Sequence, residues 1–114
     1  MSAPLVTADD RTEHDLERFR NALGEALQFW GHELLDDPGT EELAETARVS
    51  GRFMARQVGG RMSRASILLA GAAAHLDAVS ELRNALPDVR RWHMSAALRA
   101  VTAARSLLAG PARA

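Results

Sequence analysis

Apolar residues recur at helical spacing in four stretches of the chain, and no stretch alternates in the manner of a β-strand. The first stretch has one apolar face, formed by Leu16, Phe19, Leu23, Leu27, Trp30 and Leu34. Breaks containing proline or glycine follow at Asp36–Gly39, Gly59–Gly60 and Pro87. These patterns predict helices over about 8–35, 41–58, 62–85 and 88–109, with loose tails at both ends.

The later helices differ in how widely their apolar residues spread. Small residues, Ser50 and Gly51, fall on the apolar stripe of the second helix, which predicts the close approach of a neighbouring backbone. The third helix is apolar over a wide arc and is predicted to be central. The fourth helix has two apolar stripes: a first of Val89, Trp92, Ala96, Ala100, Ala103 and Leu107, and a second of Met94, Leu98, Val101 and Leu108.

A chain of 114 residues with 46% hydrophobic and 25% charged residues is typical of one globular domain. Four helices with short connections predict an all-α, small antiparallel four-helix bundle. Two apolar stripes on the third and fourth helices leave more apolar surface than one small bundle buries. The bundle therefore either closes within one chain or is completed by dimerisation.

Composition excludes several classes of protein. The chain has no cysteine, so disulfides, thiolate metal sites and cysteine nucleophiles are excluded. Its longest apolar run, Ile67 to Ala74, is too short for a membrane span of roughly 20 residues. With no basic, signal-like N-terminus, we expect a cytoplasmic protein. Its basic residues are all Arg and alanine is abundant, which is typical of a bacterial, GC-rich genome.

Charge is divided along the chain. Residues 1–47 carry 12 acidic residues and three Arg, a net −9, whereas residues 48–114 carry 11 Arg and three acidic residues, a net +8. The favoured interpretation is internal pairing between an acidic first helix and basic later helices, since exposed pairs help to choose partner and orientation.

A second interpretation of the charge is a basic surface for an anionic partner. Arginines recur through the second helix and into the third without an acidic residue among them, at Arg48, Arg52, Arg56, Arg61 and Arg64. Nucleic acid fits such a surface electrostatically, but no recognition motif or aromatic stacking set accompanies it. Nucleic-acid binding is therefore possible but not favoured.

Candidate chemistry centres on histidine. No histidine has a glutamate three residues before it, so the di-iron bundle motif is absent, and we expect neither a metal nor a cofactor. His75 lies on an apolar line of the third helix, next to Ala72, Ala73 and Ala74, which leave room around it. A general base or ligand could be built there, although a histidine at the edge of the core is the favoured interpretation.

The sequence thus favours a non-enzymatic interaction or adaptor protein that self-associates or docks a protein partner. The predicted interaction surface on the fourth helix consists of Trp92, Met94, Leu98, Val101 and Leu108. Two alternatives stay open: polyanion binding through the arginines, and a small-molecule or cofactor-binding bundle, or an enzyme, that uses His75.

Overall fold

A computed structural model describes residues 8–28, 39–57, 60–82 and 87–109 of the chain. They form four helices: α1 (Ala8–Gln28), α2 (Thr40–Ala55), α3 (Gly60–Glu81) and α4 (Pro87–Ala109). The helices pack against one another and the described ranges contain no strand, so the predicted all-α four-helix bundle is confirmed. None of the described helices combines the length and apolarity that crossing a membrane requires.

Helix boundaries differ from the predicted ones by a few residues where they can be compared. Gly39 is the N-cap of α2, and its carbonyl accepts the Leu43 N–H at 2.9 Å. The helix ends at Ala55, earlier than predicted, in a turn at Arg56. Pro87 opens α4, where the first position of a helix tolerates its missing N–H. The predicted helical residues 29–35, 58 and 83–85, and both predicted tails, lie outside the described residues.

The third helix lies between α2 and α4 and packs on both of them, just as α4 packs on α3 and α1, so α3 and α4 share the central position predicted for α3 alone. It runs antiparallel to α4, because His75 meets His93 while Val79, nearer the end of α3, meets Arg90. The third helix also runs antiparallel to α2. Arg48 of α2 pairs with Asp77 of α3, whereas Gly51, later in α2, contacts Ser66, which is earlier in α3. The short connections of this part of the chain give the antiparallel packing expected of them.

The first helix packs on α4 and has few contacts with α2. Asp15, in its first half, lines a groove with Ser95 and Arg99, whereas Glu25, near its end, accepts a hydrogen bond of 2.8 Å from Arg105. These pairs show that α1 and α4 run in the same direction. Antiparallel packing therefore holds for α2–α3 and α3–α4, while α1 lies parallel to α4.

One core joins the four helices. Its largest fully buried side chains have essentially no exposed surface, and they are Phe19, Leu23, Leu43, Met54, Leu69, Leu76, Val79, Met94 and Val101. Alanines from every helix fill the positions between these side chains. Because alanine is small, the helix axes can approach closely while the interior remains filled.

The α2 and α3 helices approach each other closely at Gly51 of α2. A Cβ atom added there would lie 3.1 Å from the Ser66 carbonyl oxygen, 3.4 Å from the Leu69 Cβ and 3.6 Å from the Ala70 nitrogen. Two of these three atoms belong to backbone, which cannot rotate away as a flexible side chain can. The predicted role of a small residue at this point of the second helix is thereby confirmed.

This contact predicts opposite effects of the same substitution at two glycines. Gly71→Ala meets no atom within 4 Å and should raise the free energy of unfolding by about 0.5–1 kcal/mol through helix propensity. Gly51→Ala should lose that gain to the contact with α3, and Gly51→Leu should lower stability by about 1–3 kcal/mol. Urea unfolding of dilute protein, followed by circular dichroism, measures both. Equal stabilisation by the two alanine variants would contradict the close packing of α2 on α3.

Candidate interaction surface

The third helix, α3, has two apolar seams on opposite sides. The inner seam faces the core and is fully buried, and it consists of Ala65, Leu69, Ala72, Leu76 and Val79. The outer seam advances by alternate steps of three and four residues, and it consists of Arg64, Ile67, Gly71, Ala74, Ala78 and Glu81. Within the outer seam Ile67 is 69% exposed, Ala74 is exposed, and Gly71 and Ala78 are half-buried.

The outer seam is apolar because the middle of α3 carries no charge. No Arg, Asp or Glu occurs from Ala65 to Leu76, so the helix has no polar face to present to water along this length. A helix that is apolar all round is normally covered on all sides. In the described bundle, α2 and α4 cover its inner side and leave the outer seam exposed.

The predicted interaction surface on α4 needs correction. Met94, Val101 and Leu108 lie in the core of a single chain and cannot form a docking surface on the folded bundle. These three residues belong to the second apolar stripe of α4, and the helical spacing of the two stripes does not by itself tell which one faces inward. Trp92, from the other stripe, is 57% exposed.

Leu98 lies neither in the core, like Met94, nor on the exposed surface, like Trp92. It is half-buried, packs against the core, and lines a groove of about 410 Å³ between α1 and α4 with Asp15, Arg18 and Arg99 among its neighbours. The groove is mostly polar in its lining residues. A substitution at Leu98 would thus disturb the packing of α1 on α4, and it would not report on docking at the outer seam.

A cluster of three aromatic rings stands where α3 meets the first half of α4. The Nδ1 atoms of His75 and His93 are 3.0 Å apart, and their ring centroids are 5.2 Å apart, so the rings meet through these nitrogens and do not stack. Trp92 packs edge-on near both rings, with centroids 5.6 Å from His75 and 5.0 Å from His93. For this contact to be a hydrogen bond, one Nδ1 must carry the proton and donate it, and the other Nδ1 must be unprotonated and act as the acceptor.

The histidine pair favours a neutral His75. Desolvation lowers the pKa of His75, and the nearby His93 and Arg99 lower it further. Among the described residues no group of three or more His, Cys, Asp or Glu side chains is arranged to hold a metal ion. The arrangement therefore supports a role for His75 in joining α3 to α4, since its Nδ1 atom is engaged by His93.

The five arginines of the predicted anion-binding surface separate into two groups. Arg48 pairs with Glu45 of its own helix and with Asp77 of α3. Although desolvation opposes it, the pKa of Arg48 is raised by these two carboxylates. The other arginines are exposed around the α2–α3 turn, and they are Arg52, Arg56, Arg61 and Arg64.

Internal pairing accounts for part of the charge division along the chain. Glu25 of the acidic part pairs with Arg105 of α4, and Arg48 bridges Glu45 and Asp77. The remaining described ion pairs lie within single helices, between Asp15 and Arg18 and between Asp88 and Arg91. Among the described residues, ion pairs between the acidic part (1–47) and the basic part (48–114) thus occur at a few positions and do not continue along the length of the helices.

Comparison with known proteins gives no relative from which a function could be carried over. A scan against protein-family models, a search of curated proteins and a search of solved structures found no match.

Two features of this region were missed from the sequence although signals for them exist. From the sequence, Ile67 is placed only in an apolar run, but the steps from Arg64 to Glu81 alternate between three and four residues, which indicates a second seam. His93 was not paired with His75, although both stand at similar distances from the α3–α4 turn. Residues at equal distances from such a turn become neighbours in an antiparallel pair of helices.

The lowered pKa predicts how stability depends on pH. The unfolded chain binds a proton at His75 near the ordinary pKa of about 6.5, whereas the folded chain binds it only at lower pH. The contribution of neutral His75 to stability is therefore fully present above that value and is lost as pH falls from it through the lower pKa of the folded state. Urea unfolding between about pH 7.5 and 5.5 should show a smaller loss of stability for His75→Gln than for wild type. His14→Gln, on the exposed surface of α1, is the control, and an unchanged pH dependence in His75→Gln would contradict this prediction.

Proposed function

We propose that this protein is a non-enzymatic interaction module that binds protein through the outer seam of α3, with Trp92 beside the seam. The observation that carries the proposal is the exposure of Ile67, at 69%, on a helix face whose middle has no charge. Isolated apolar residues on a surface are ordinary, but a contiguous apolar face typically marks a binding site.

Burial of this face on a partner supplies a driving force of useful size. Covering an exposed isoleucine side chain contributes about 1.5–3 kcal/mol, and a tryptophan is among the residues that most often dominate binding energy. Trp92 touches His75, which lies one residue after Ala74 of the outer seam. Trp92 and Ile67 are the two most exposed of the large apolar side chains in the described residues, and Trp92 borders α3 at the level of the seam residue Ala74.

Thiol protection tests the proposal, because the chain has no cysteine of its own. Ala74→Cys places one thiol in the outer seam, and Asn21→Cys places one on the exposed surface of α1. We expect the thiol at position 74 to react several-fold more slowly in concentrated protein or in host-cell extract than in dilute purified protein, and the thiol at position 21 to react equally in all three. Equal reactivity of position 74 under all three conditions would end the proposal.

Polyanion binding is the second candidate, favoured by the four exposed arginines that the α2–α3 turn brings to one end of the bundle. Binding of this kind weakens steeply with salt because counterions are released. If it occurs, fluorescence anisotropy of labelled DNA should show binding at about 50 mM salt, strong weakening at about 200 mM, and loss in Arg52→Glu and Arg56→Glu. No binding at the lower salt, or binding unaffected by these substitutions, would exclude it.

The third candidate, a cofactor-binding or catalytic bundle that uses His75, has less support. The imidazole of His75 meets His93 through its Nδ1 and packs against the edge of Trp92, so its surroundings resemble a helix contact more than an open site.

A further inference from the structure

We propose that the occupant of the outer seam is a second copy of this chain. The two α3 helices would pack antiparallel about a two-fold axis that passes midway between Gly71 and Ala74. The inference rests on the proposed interaction function and adds the identity, direction and register of the partner. Three properties of the seam support it: spacing, charge and shape.

The spacing of the outer seam is that of a two-helix interface. Steps of three and four residues in alternation keep a seam facing a partner helix along its whole length. The seam runs from Arg64 to Glu81, nearly the full length of α3, and remains on one side of the helix. A partner that contacts it along this length is therefore a helix lying nearly along α3.

Charge complementarity selects a second copy and fixes its direction. The seam has a basic residue at one end, Arg64, and an acidic residue at the other, Glu81. Antiparallel packing about the stated axis places each Arg64 opposite the Glu81 of the second copy, twice by symmetry. Parallel packing would instead place like charges together. Within the part of the chain that the structure describes, no ion pair engages Arg64 or Glu81.

The shapes of the paired positions fit the same register. Ile67, the one large apolar residue of the outer seam, falls opposite Ala78 of the second copy, where a small side chain leaves room for it. Gly71 falls opposite Ala74, so the two backbones can approach closely at the centre, near the lower end of the usual 8–10 Å between packed helices. Trp92 lies at the level of His75 and would flank the Ile67 of the second copy.

Charge reversal across the seam tests the direction and the register together. Light scattering after size exclusion should give about twice the 12.3 kDa mass of one chain for wild type. Arg64→Glu and Glu81→Arg each replace two attractive contacts with two repulsive ones, and each should weaken dimerisation about 10-fold or more. The double variant Arg64→Glu/Glu81→Arg restores opposite charges and should restore the dimer. Arg52→Glu changes charge equally but on α2, away from the seam, and should leave the dimer intact.

Loss of the fold does not explain the expected loss of dimer. Arg64 lies in the first turns of α3 and Glu81 ends it, so each reversal places a charge where the helix dipole favours it. The single variants should keep the circular dichroism spectrum of wild type. Ile67→Glu, at an exposed position, should give a folded monomer as a separate check on the seam.

The remaining outcomes each overturn the inference. Dimers that persist in both single variants and in Ile67→Glu would mean that another surface associates. Single variants that dissociate without rescue in the double variant would exclude this register. A wild type that stays monomeric up to about 100 μM, a concentration at which a micromolar dimer would be almost fully formed, would exclude the second copy. In that case, protection of the thiol at position 74 in host-cell extract would still support the interaction function with a different partner, whereas its absence would end both proposals.

Discussion

Packing of α2 and α4 against the inner seam of α3 is the constraint on which the described bundle depends. Leu69 and Leu76 are fully buried there, and burying side chains of this size contributes about 1.5–3 kcal/mol each. With α3 held in the middle, three polar contacts become possible across its sides: Arg48 with Asp77, His75 with His93, and the Arg90 side chain with the Val79 carbonyl. These contacts fix the rotation and level of the neighbouring helices, while the apolar packing supplies the driving force.

The outer seam follows from the same helix. Two neighbours cover roughly the inner part of a helix surface, so a helix that is apolar on every side keeps one side uncovered. On α1 the outward positions include Glu17, Arg18 and Glu25, and that helix needs no further cover. On α3 the corresponding positions are Ile67, Gly71 and Ala74. The two helices therefore differ in their outward residues, which are charged on α1 and uncharged on α3, whereas their inward faces are similarly apolar.

Periodicity is enough to predict the four helices and the close helix approach at Gly51, because each depends on local spacing or on the size of one side chain. It could not decide which stripe of α4 faces inward, since Trp92 and Met94 belong to stripes of equal regularity and only tertiary contacts distinguish them. Periodicity could not predict the direction of α1 relative to the other helices either. Few residues separate α3 from α4 along the chain, and so short a separation enforces antiparallel packing, whereas α1 and α2 lie farther apart in the sequence, which leaves either direction open.

Because α1 and α2 run the same way, Gln28 and Thr40 lie at opposite ends of the bundle, roughly 30 Å apart along its axis by the rise of a helix. The chain between them can reach about 40 Å when fully extended. The number of residues between α1 and α2 is therefore constrained by the distance that they must span. Insertions should be accepted over evolutionary time, whereas deletion of more than a few residues would pull α1 away from α4 or force it to dock on a neighbouring molecule.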